Sequence, residues 1–160
     1  MSKIKTTETM ELVGINETIA QNDWTEDVSF TLKPEDVDGK ILAFTMVSRL
    51  DDATGGTGTI LLPSGTLAVF SADPALTAAD AALASGVADT ILGTVAVATG
   101  DWVSQTLGAW VNKLKVDIPF FPLKTLYFAF FWTLATSINS ASGDDEILEI
   151  DVQIETNEIV

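Results

Sequence analysis

The chain has 160 residues, of which 47% are hydrophobic, and this length suits one domain with a single core. Its net charge of −15 at pH 7, from 23 acidic and 8 basic residues, argues against binding to nucleic acids or to anionic membranes. Because it has no cysteine and no histidine, disulfides, Cys-based zinc sites and histidine-dependent catalysis are excluded.

The first third of the chain predicts an arm followed by strands. Residues 1–9 are polar and are predicted to form a flexible N-terminal arm, ahead of a single β-sandwich domain over residues 10–160. The arm lacks the apolar segment of a signal peptide, so we expect a protein that is made and kept in the cytoplasm, or assembled there. Apolar residues of one parity over 10–20 predict a first strand, and clean alternation over 27–33 predicts a second. Residues 40–50 are largely apolar on both faces and predict a long strand.

The middle of the chain predicts a hairpin and the only helix. Two short β runs, 59–62 and 66–71, are separated by the Pro-Ser-Gly sequence at 63–65, which is typical of a hairpin connection. The Thr-Ala-Ala-Asp sequence at 77–80 resembles a capping box. Apolar residues at helical spacing accompany it, so a short helix is predicted over 77–85.

Four further strands are predicted over 90–98, 107–118, 125–135 and 146–155. The segment 125–135 is the richest in aromatic residues, and we expect it to lie at the centre of the fold. One face of it carries Leu126, Phe128, Phe130, Trp132 and Leu134. The other face is also mostly apolar, so both faces are predicted to be covered.

These elements together predict an all-β fold. Eight or nine short strands, one short helix and no alternation of strands with helices indicate two packed antiparallel sheets. A jelly-roll-like β-sandwich is the most economical arrangement of that kind.

No residue is predicted to be catalytic, cofactor-binding or metal-binding, and no cofactor is expected. The glycine-rich loop 54–58 lacks the lysine of a phosphate-binding loop. The Asp-Val-Asp-Gly sequence at 36–39 looks like half of a calcium loop but lacks the closing glutamate. Further calcium ligands would have to come from other loops, at Asp51, Asp52, Asp144 and Asp145. A shared calcium stays open if these loops meet at one end of the sandwich, and ordinary turn chemistry is the alternative.

Four aromatic residues are candidate contacts with a partner or a second copy of the chain: Trp24, Trp102, Phe120 and Phe121. The two tryptophans adjoin turns, where they either stack on sugars or close the ends of the sandwich. The two phenylalanines lie between prolines. Because neighbouring side chains of an extended segment point in opposite directions, we expect one phenylalanine to be exposed.

The segments 71–74, 78–89 and 97–102, with the small residues around them, resemble tailed-bacteriophage virion proteins, in particular capsid decoration (head auxiliary) proteins. The resemblance lies in the run of small residues and in the order of the segments, over residues 60–155. It implies a structural role on the outer face of an assembled capsid, often as a trimer, with the major capsid protein as partner. It also implies an N-terminal arm that anchors on the shell, for which Lys3 and Lys5 are the candidates.

The leading hypothesis is therefore a non-enzymatic virion protein that decorates a phage capsid as a homo-oligomer, with a trimer favoured. One alternative is a carbohydrate-binding β-sandwich module, which requires Trp24 or Trp102 to lie flat on an exposed surface. A second alternative is a hydrolase with two catalytic carboxylates, which requires an acid pair in a cleft. No carboxylate lies in a strand context that predicts burial and a raised pKa.

Overall fold

A computed structural model describes residues 2–32, 38–51, 60–77, 80–105, 108–121, 125–140 and 145–158 of the chain. Ten β-strands form within these ranges: β1 (Ser2–Val13), β2 (Asp23–Trp24), β3 (Val28–Thr31), β4 (Gly39–Leu50), β5 (Gly65–Phe70), β6 (Ile91–Val97), β7 (Val103–Ser104), β8 (Ala109–Phe120), β9 (Thr125–Trp132) and β10 (Glu146–Glu158). Two short 3-10 helices cover Val87–Thr90 and Thr99–Asp101.

The strands form two antiparallel sheets. The first sheet has the order β1-β10-β4-β8-β7. In the second sheet the order is β2-β9-β5-β6, and β3 pairs with the same edge of β9 as β2 does. Without the two-residue strands, the orders β1-β10-β4-β8 and β3-β9-β5-β6 are those of an eight-stranded jelly roll. The predicted all-β, jelly-roll-like sandwich is therefore confirmed.

The main core lies between the two sheets and is centred on β9. Its inward face carries the side chains that the sequence predicted, and Phe128, Phe130 and Trp132 are fully buried. Phe128 meets Phe44 of β4 in an edge-to-face contact, with 6.1 Å between the ring centroids. Each large side chain buried here contributes about 1.5–3 kcal/mol to folding.

A second, smaller cluster covers the outer face of the second sheet. Phe70 and Ala129 point outward from β5 and β9. Leu76, from the connection between β5 and β6, packs over them. Trp24 packs against both Phe70 and Phe131, with ring centroids 6.1 Å and 5.2 Å away. Both faces of β9 are thus buried, as the sequence predicted.

The predicted helix over 77–85 is wrong for the residues that the structure describes. The turn contact exists, because the backbone N–H and the hydroxyl of Thr77 both donate to Asp80 Oδ2, at 2.7 Å and 3.1 Å. The carbonyl of Asp80, however, accepts the N–H of Trp24 at 2.6 Å in an isolated β-bridge. That bridge holds the backbone of Asp80 against β2 at the edge of the second sheet. The short 3-10 helix forms two residues beyond the predicted helix, at Val87–Thr90.

The predicted hairpin at 59–71 also differs from the structure. Residues 60–64 form no strand, and residue 59 lies outside the described residues. Gly65 instead begins β5, between Val97 of β6 and Trp132 of β9. A Cβ atom at Gly65 would overlap the carbonyl oxygen of Phe131, so this close approach requires glycine.

Residues 2–9 are not a separate arm in this structure. They form the first part of β1, and the register runs from Ser2 opposite Glu158 to Thr9 opposite Asp151 of β10. Thr9 Oγ1 also donates to Asp151 Oδ1 at 2.6 Å. The sequence failed to indicate this strand because residues 3–7 bury no side chain and therefore show no apolar alternation.

A network of hydrogen bonds centred on Asn139 and Glu146 connects several loops of the sandwich. The Asn139 amide donates to the carbonyls of Gly14, Glu17 and Glu146, at 2.9–3.2 Å, and accepts the N–H of Glu146. Glu146 is itself buried, and its Oε1 accepts the Ser48 hydroxyl and the N–H of Leu61, each at 2.7 Å. These bonds satisfy polar groups that burial would otherwise leave unpaired.

Candidate interaction surface

Strand register brings several predicted contact residues to one end of the first sheet. Lys5 of β1 lies opposite Glu155 of β10, Glu155 lies opposite Lys40 of β4, and Lys40 lies opposite Pro119 of β8. Adjacent strands are about 4.8 Å apart, so this row crosses about 14 Å of the sheet. Its side chains share the outer face, because inward and outward positions alternate along each strand.

Lys3 and Phe121 lie within two residues of this row. Lys3 Nζ is 3.6 Å from Glu155 Oε1. A depression of about 210 Å³ lies between the strands here, and its lining includes Lys3, Lys40 and Glu155. We call Lys3, Lys5, Lys40, Glu155 and Phe121 the lysine–phenylalanine end.

Phe120 and Phe121 behave differently. Phe120 is only 3% exposed and belongs to the main core, whereas Phe121 is 82% exposed. This is the opposite orientation that an extended backbone imposes on neighbouring side chains. Phe121 is thus available for a contact and Phe120 is not.

The two tryptophans are not on the surface. Trp24 is 9% exposed within the outer cluster, and Trp102 is 5% exposed within the main core. Trp102 Nε1 donates to the carbonyl of Pro63 at 2.9 Å, so its polar atom is also satisfied. Neither side chain lies flat on an exposed surface, and both are corrected from candidate contacts to packing residues.

The described residues of the acidic loops do not gather into one calcium site. The N–H of Asp51 donates to the carbonyl of Asp145 at 2.7 Å, so these two loops do meet. Asp38 precedes β4 and Asp51 follows it, and the twelve residues of that strand separate them by about 40 Å. No group of three or more acidic side chains able to hold a metal ion occurs among the described residues, which exclude Asp36, Asp52, Asp144 and the loop 54–58.

Glu17 and Asp27 have raised pKa values, contrary to the expectation from sequence. Burial raises the pKa of Glu17, and repulsion from Glu26 and Glu11 adds to it, while a backbone hydrogen bond from Gly14 opposes it. Glu17 Oε2 is buried and has no hydrogen-bond partner among the described atoms. The sequence offered no signal for this carboxylate, because it lies in a loop whose path depends on Asn139.

Asp27 is the other perturbed carboxylate. Burial raises its pKa and the nearby charge of Asp73 raises it further, while a hydrogen bond from the backbone of Leu76 opposes both. The Leu76 N–H lies 2.8 Å from Asp27 Oδ1, and Asp73 Oδ1 accepts the N–H of Ala75. Asp27 and Asp73 thus both accept hydrogen bonds from the backbone N–H groups of one loop, as Asp side chains in turns commonly do.

Lys40 and Glu155 are members of the surface that sequence reasoning missed. Both lie on outward positions of predicted strands, and both are half-buried in the structure. Their proximity to Lys5 depends on the pairing of β10 between β1 and β4, which joins segments more than 100 residues apart. Pattern within one segment does not contain that information.

Comparisons with known proteins find no family for this chain. No family model and no curated protein matches it. Dimeric latent PorU from Porphyromonas gingivalis aligns with 98% of this chain at 12% identity and a TM-score of 0.46, and this chain covers only 13% of that one. A structure of Turnip Yellow Mosaic Virus aligns with 99% of this chain and 95% of its own at 10% identity and a TM-score of 0.35.

A third structure, the C-terminal CBM6 of LamC from Zobellia galactanivorans, aligns with 98% of this chain and 100% of its own, at 12% identity and a TM-score of 0.33. Similarities this distant do not indicate a function. Within the described part of the chain, no helix is long and apolar enough to cross a membrane.

Proposed function

We propose that this protein is a structural virion component that binds the outside of a phage capsid and stabilises it. The observation that carries the proposal is the lysine–phenylalanine end, where an 82% exposed phenylalanine lies two residues beyond the row of Lys5, Glu155, Lys40 and Pro119 that crosses the first sheet. The resemblance of residues 60–155 to capsid decoration proteins supports the same function.

The chemistry of this end suits attachment to a protein surface. An exposed aromatic side chain that enters a pocket of its partner provides much of the binding energy in many interfaces. Charged side chains near such an anchor mainly set orientation and association rate. Lys40 lies on β4, the strand beside the one that Phe121 follows, and Glu155 and Lys5 continue the row across the sheet. On a capsid lattice, an oligomer bound at several sites gains avidity from modest contacts.

The two alternative functions receive less support. A carbohydrate-binding module needs an exposed aromatic platform, and Trp24 and Trp102 are both buried. A carboxylate hydrolase needs an acid pair that faces a cleft. The pair that approaches this, Asp27 and Asp73, is occupied by hydrogen bonds from the backbone of its own loop.

The test is cosedimentation with shells assembled from the major capsid protein encoded in the same genome. We expect the purified protein to move with the shells through a sucrose gradient, at a fixed number of copies per shell. The Phe121→Ser variant should bind at least about tenfold more weakly, because it removes the aromatic anchor.

Ala135→Ser is the control, since Ala135 is also exposed but follows the last residues of β9, at the opposite end of the sandwich from Phe121. It should bind like the unmodified protein. The proposal fails if the unmodified protein stays at the top of the gradient. If Phe121→Ser and Ala135→Ser bind equally well, the attachment surface assigned here is wrong.

A further inference from the structure

Strand β1 lies at one edge of the first sheet and has a free side. It pairs with β10 on one side, and no described strand pairs with its other side. The pairing with β10 is regular from Ser2 to Glu11, where a bulge begins. The backbone N–H and C=O groups along an unpaired strand edge are able to pair with another strand.

The first half of β1 forms a strand although it buries no side chain. Residues 3–7 are all exposed, and Ile4 is one of the few large apolar residues among them and the other described residues that are exposed, at 39%. Ile4 has the same parity as Met10, which packs against the main core, so it lies on the inward face of the strand. The described part of the chain thus leaves an apolar side chain uncovered beside the free edge.

The charges of β1 are divided between its two halves. Lys3 and Lys5 lie in the first half, and Glu8 and Glu11 lie in the second. Lysines on an edge strand ordinarily oppose pairing with another chain. Here two lysines and two glutamates leave the strand without net charge, although the whole chain carries −15. An antiparallel copy of β1 would therefore bring each basic half beside an acidic half.

Strand geometry restricts the register in which two copies of β1 can pair. Opposite residues of an antiparallel pair have their side chains on the same face, so an odd-numbered residue must lie opposite another odd-numbered one. The regular stretch from Lys3 to Glu11 is centred on Thr7. If Thr7 lies opposite itself, Lys3 lies opposite Glu11 of the second copy, and the two-fold symmetry forms this pair twice.

The two neighbouring registers are less favourable. Centring the pair on Glu8 brings that carboxylate directly against its own copy, which is repulsive. Centring it on Thr6 places the apolar Ile4 opposite Glu8 and joins no opposite charges. Centred on Thr7, the pair has no like charges opposite one another, and Ile4 lies opposite Met10 of the second copy. The sequence of β1 thus favours one register with itself.

We propose that β1 pairs antiparallel with β1 of a second copy of this chain, centred on Thr7. The two first sheets then join into one continuous sheet across a two-fold axis. Backbone hydrogen bonds between the strand edges provide the contact, as in other cases of strand addition. The Lys3–Glu11 pairs and the Ile4 contact fix its register.

The neighbouring carboxylates and the attachment surface are compatible with this contact. On β10, Glu155 lies opposite Lys5, and Glu149 is paired with Arg49, so each of these carboxylates already faces a base of its own chain. Phe121 follows β8, which lies toward the other edge of the sheet, and it stays free. A two-fold contact closes at two copies, whereas the resemblance to decoration proteins implies a trimer.

The first measurement is the mass of the isolated protein in solution, by sedimentation equilibrium. The chain mass is 17.0 kDa, and the measured mass should rise with concentration to twice that value and stop there. Concentrations up to about 0.1 mM are sufficient to populate a dimer whose Kd is micromolar.

Two single variants and their mixture test the charge pairs. Lys3→Glu places a carboxylate opposite Glu11, and Glu11→Lys places an ammonium group opposite Lys3, so each variant alone should dimerise at least about tenfold more weakly. An equimolar mixture should recover the two-chain species, because each pair then joins one acid and one base. Local fraying of β1 in either variant would not be rescued by mixing.

The control for general charge repulsion is Lys115→Glu, at an exposed position of β8. It changes the net charge from −15 to −17, as Lys3→Glu does, and it should dimerise like the unmodified protein. Glu11→Lys takes the net charge to −13, so weaker repulsion alone would increase its association. Circular dichroism and melting temperature establish that each variant is folded.

A thiol at the two-fold axis tests the register. The chain contains no cysteine, so Thr7→Cys introduces one thiol per copy, and the two thiols face each other within the reach of a disulfide. Thr9→Cys is the matched control on the same face of β1. Because Thr9 lies opposite Lys5 of the second copy, its two thiols are four residues, or about 14 Å, apart. Oxidised glutathione should cross-link Thr7→Cys at least about tenfold faster than Thr9→Cys.

Four results would overturn the proposal. They are a monomer at every concentration, an assembly larger than two chains, a mixture of Lys3→Glu and Glu11→Lys that does not dimerise, and equal cross-linking of Thr7→Cys and Thr9→Cys. None of these measurements uses capsids, so the outcome is independent of the proposed attachment to a shell.

Discussion

Asp27 illustrates how the environment of a single side chain affects stability. Its pKa lies above the ordinary value of 3.8, first because it is buried and then because Asp73 is near. In the pH window between the ordinary value and the raised one, the folded protein holds a proton that the unfolded chain has lost. Folding stability from this group therefore falls as pH rises through that window, and the ionised carboxylate destabilises the fold at pH 7.

Replacing Asp27 with asparagine should therefore stabilise the protein at neutral pH. Asparagine keeps the oxygen that accepts the Leu76 N–H and removes the charge that burial and Asp73 disfavour. The gain should be below about 1 kcal/mol, because the side chain is partly exposed and solvent screens it. It should vanish below about pH 3.8, where Asp27 is protonated in both states.

Urea unfolding of Asp27→Asn and of the unmodified protein at about pH 7 and about pH 3 measures this difference. Asp117→Asn is the control, since Asp117 is an exposed position of β8 on the other sheet. Equal gains at both pH values, or the same gain in the control, would contradict the assigned cause. The sequence did not indicate this pair, because Asp73 approaches Asp27 only through the path of residues 71–90.

At the scale of elements, the strands with a buried face were predictable and those without one were not. In 27–33, 90–98 and 146–155 apolar and polar residues alternate, because every second side chain of a strand faces the core. The strands β3, β6 and β10 lie in these three segments. The helix over 77–85 followed from a real local contact between Thr77 and Asp80. A long-range β-bridge between Asp80 and Trp24 determines the backbone conformation there instead.

β1 shows the opposite case, a strand without apolar alternation in its first half. Residues 3–7 and 9 are exposed, so this half is held mainly by backbone pairing with β10. Its second half contains Leu12 and Val13, which are 2% and 0% exposed. The stability that β1 contributes should therefore come mostly from its last residues.

Removal of residues 1–8 should leave a protein that unfolds cooperatively and is less destabilised than Leu12→Ala. The truncation loses backbone hydrogen bonds that water partly replaces, and it relieves the entropy cost of ordering those residues. Leu12→Ala should cost about 2–5 kcal/mol, because it removes a fully packed side chain. Urea midpoints of the two variants test this order, and a truncated chain that fails to fold would refute it.

At the scale of the whole molecule, composition and alternation were enough to predict an all-β sandwich. The interaction surface was only partly predictable. Exposure of one residue of the Phe120–Phe121 pair followed from backbone geometry, but the position of Glu155 between Lys5 and Lys40 depends on pairing between distant segments. The same pairing collects the described basic residues on one sheet, which no single segment of the sequence reveals.

The carboxylates on the second sheet and its covering connection have a consequence for stability. Among the described residues these are Asp23, Glu26, Asp27, Asp73, Asp80 and Asp89, with no Lys or Arg between them, and such repulsion opposes a compact state. Salt screens it, and the Debye length falls from about 30 Å to about 3 Å between about 0.01 M and about 1 M salt. The melting temperature of the protein is therefore expected to rise with salt.

The Glu26→Lys with Asp89→Lys variant provides the comparison. These changes place positive charges among Asp23, Asp27, Asp73 and Asp80, so they should raise the melting temperature in low salt. The further rise on adding salt should then be smaller, since less repulsion remains to be screened. If salt lowers the melting temperature of both proteins, ion pairs such as Arg49 with Glu149 outweigh the repulsion, and the carboxylates of the second sheet do not limit stability.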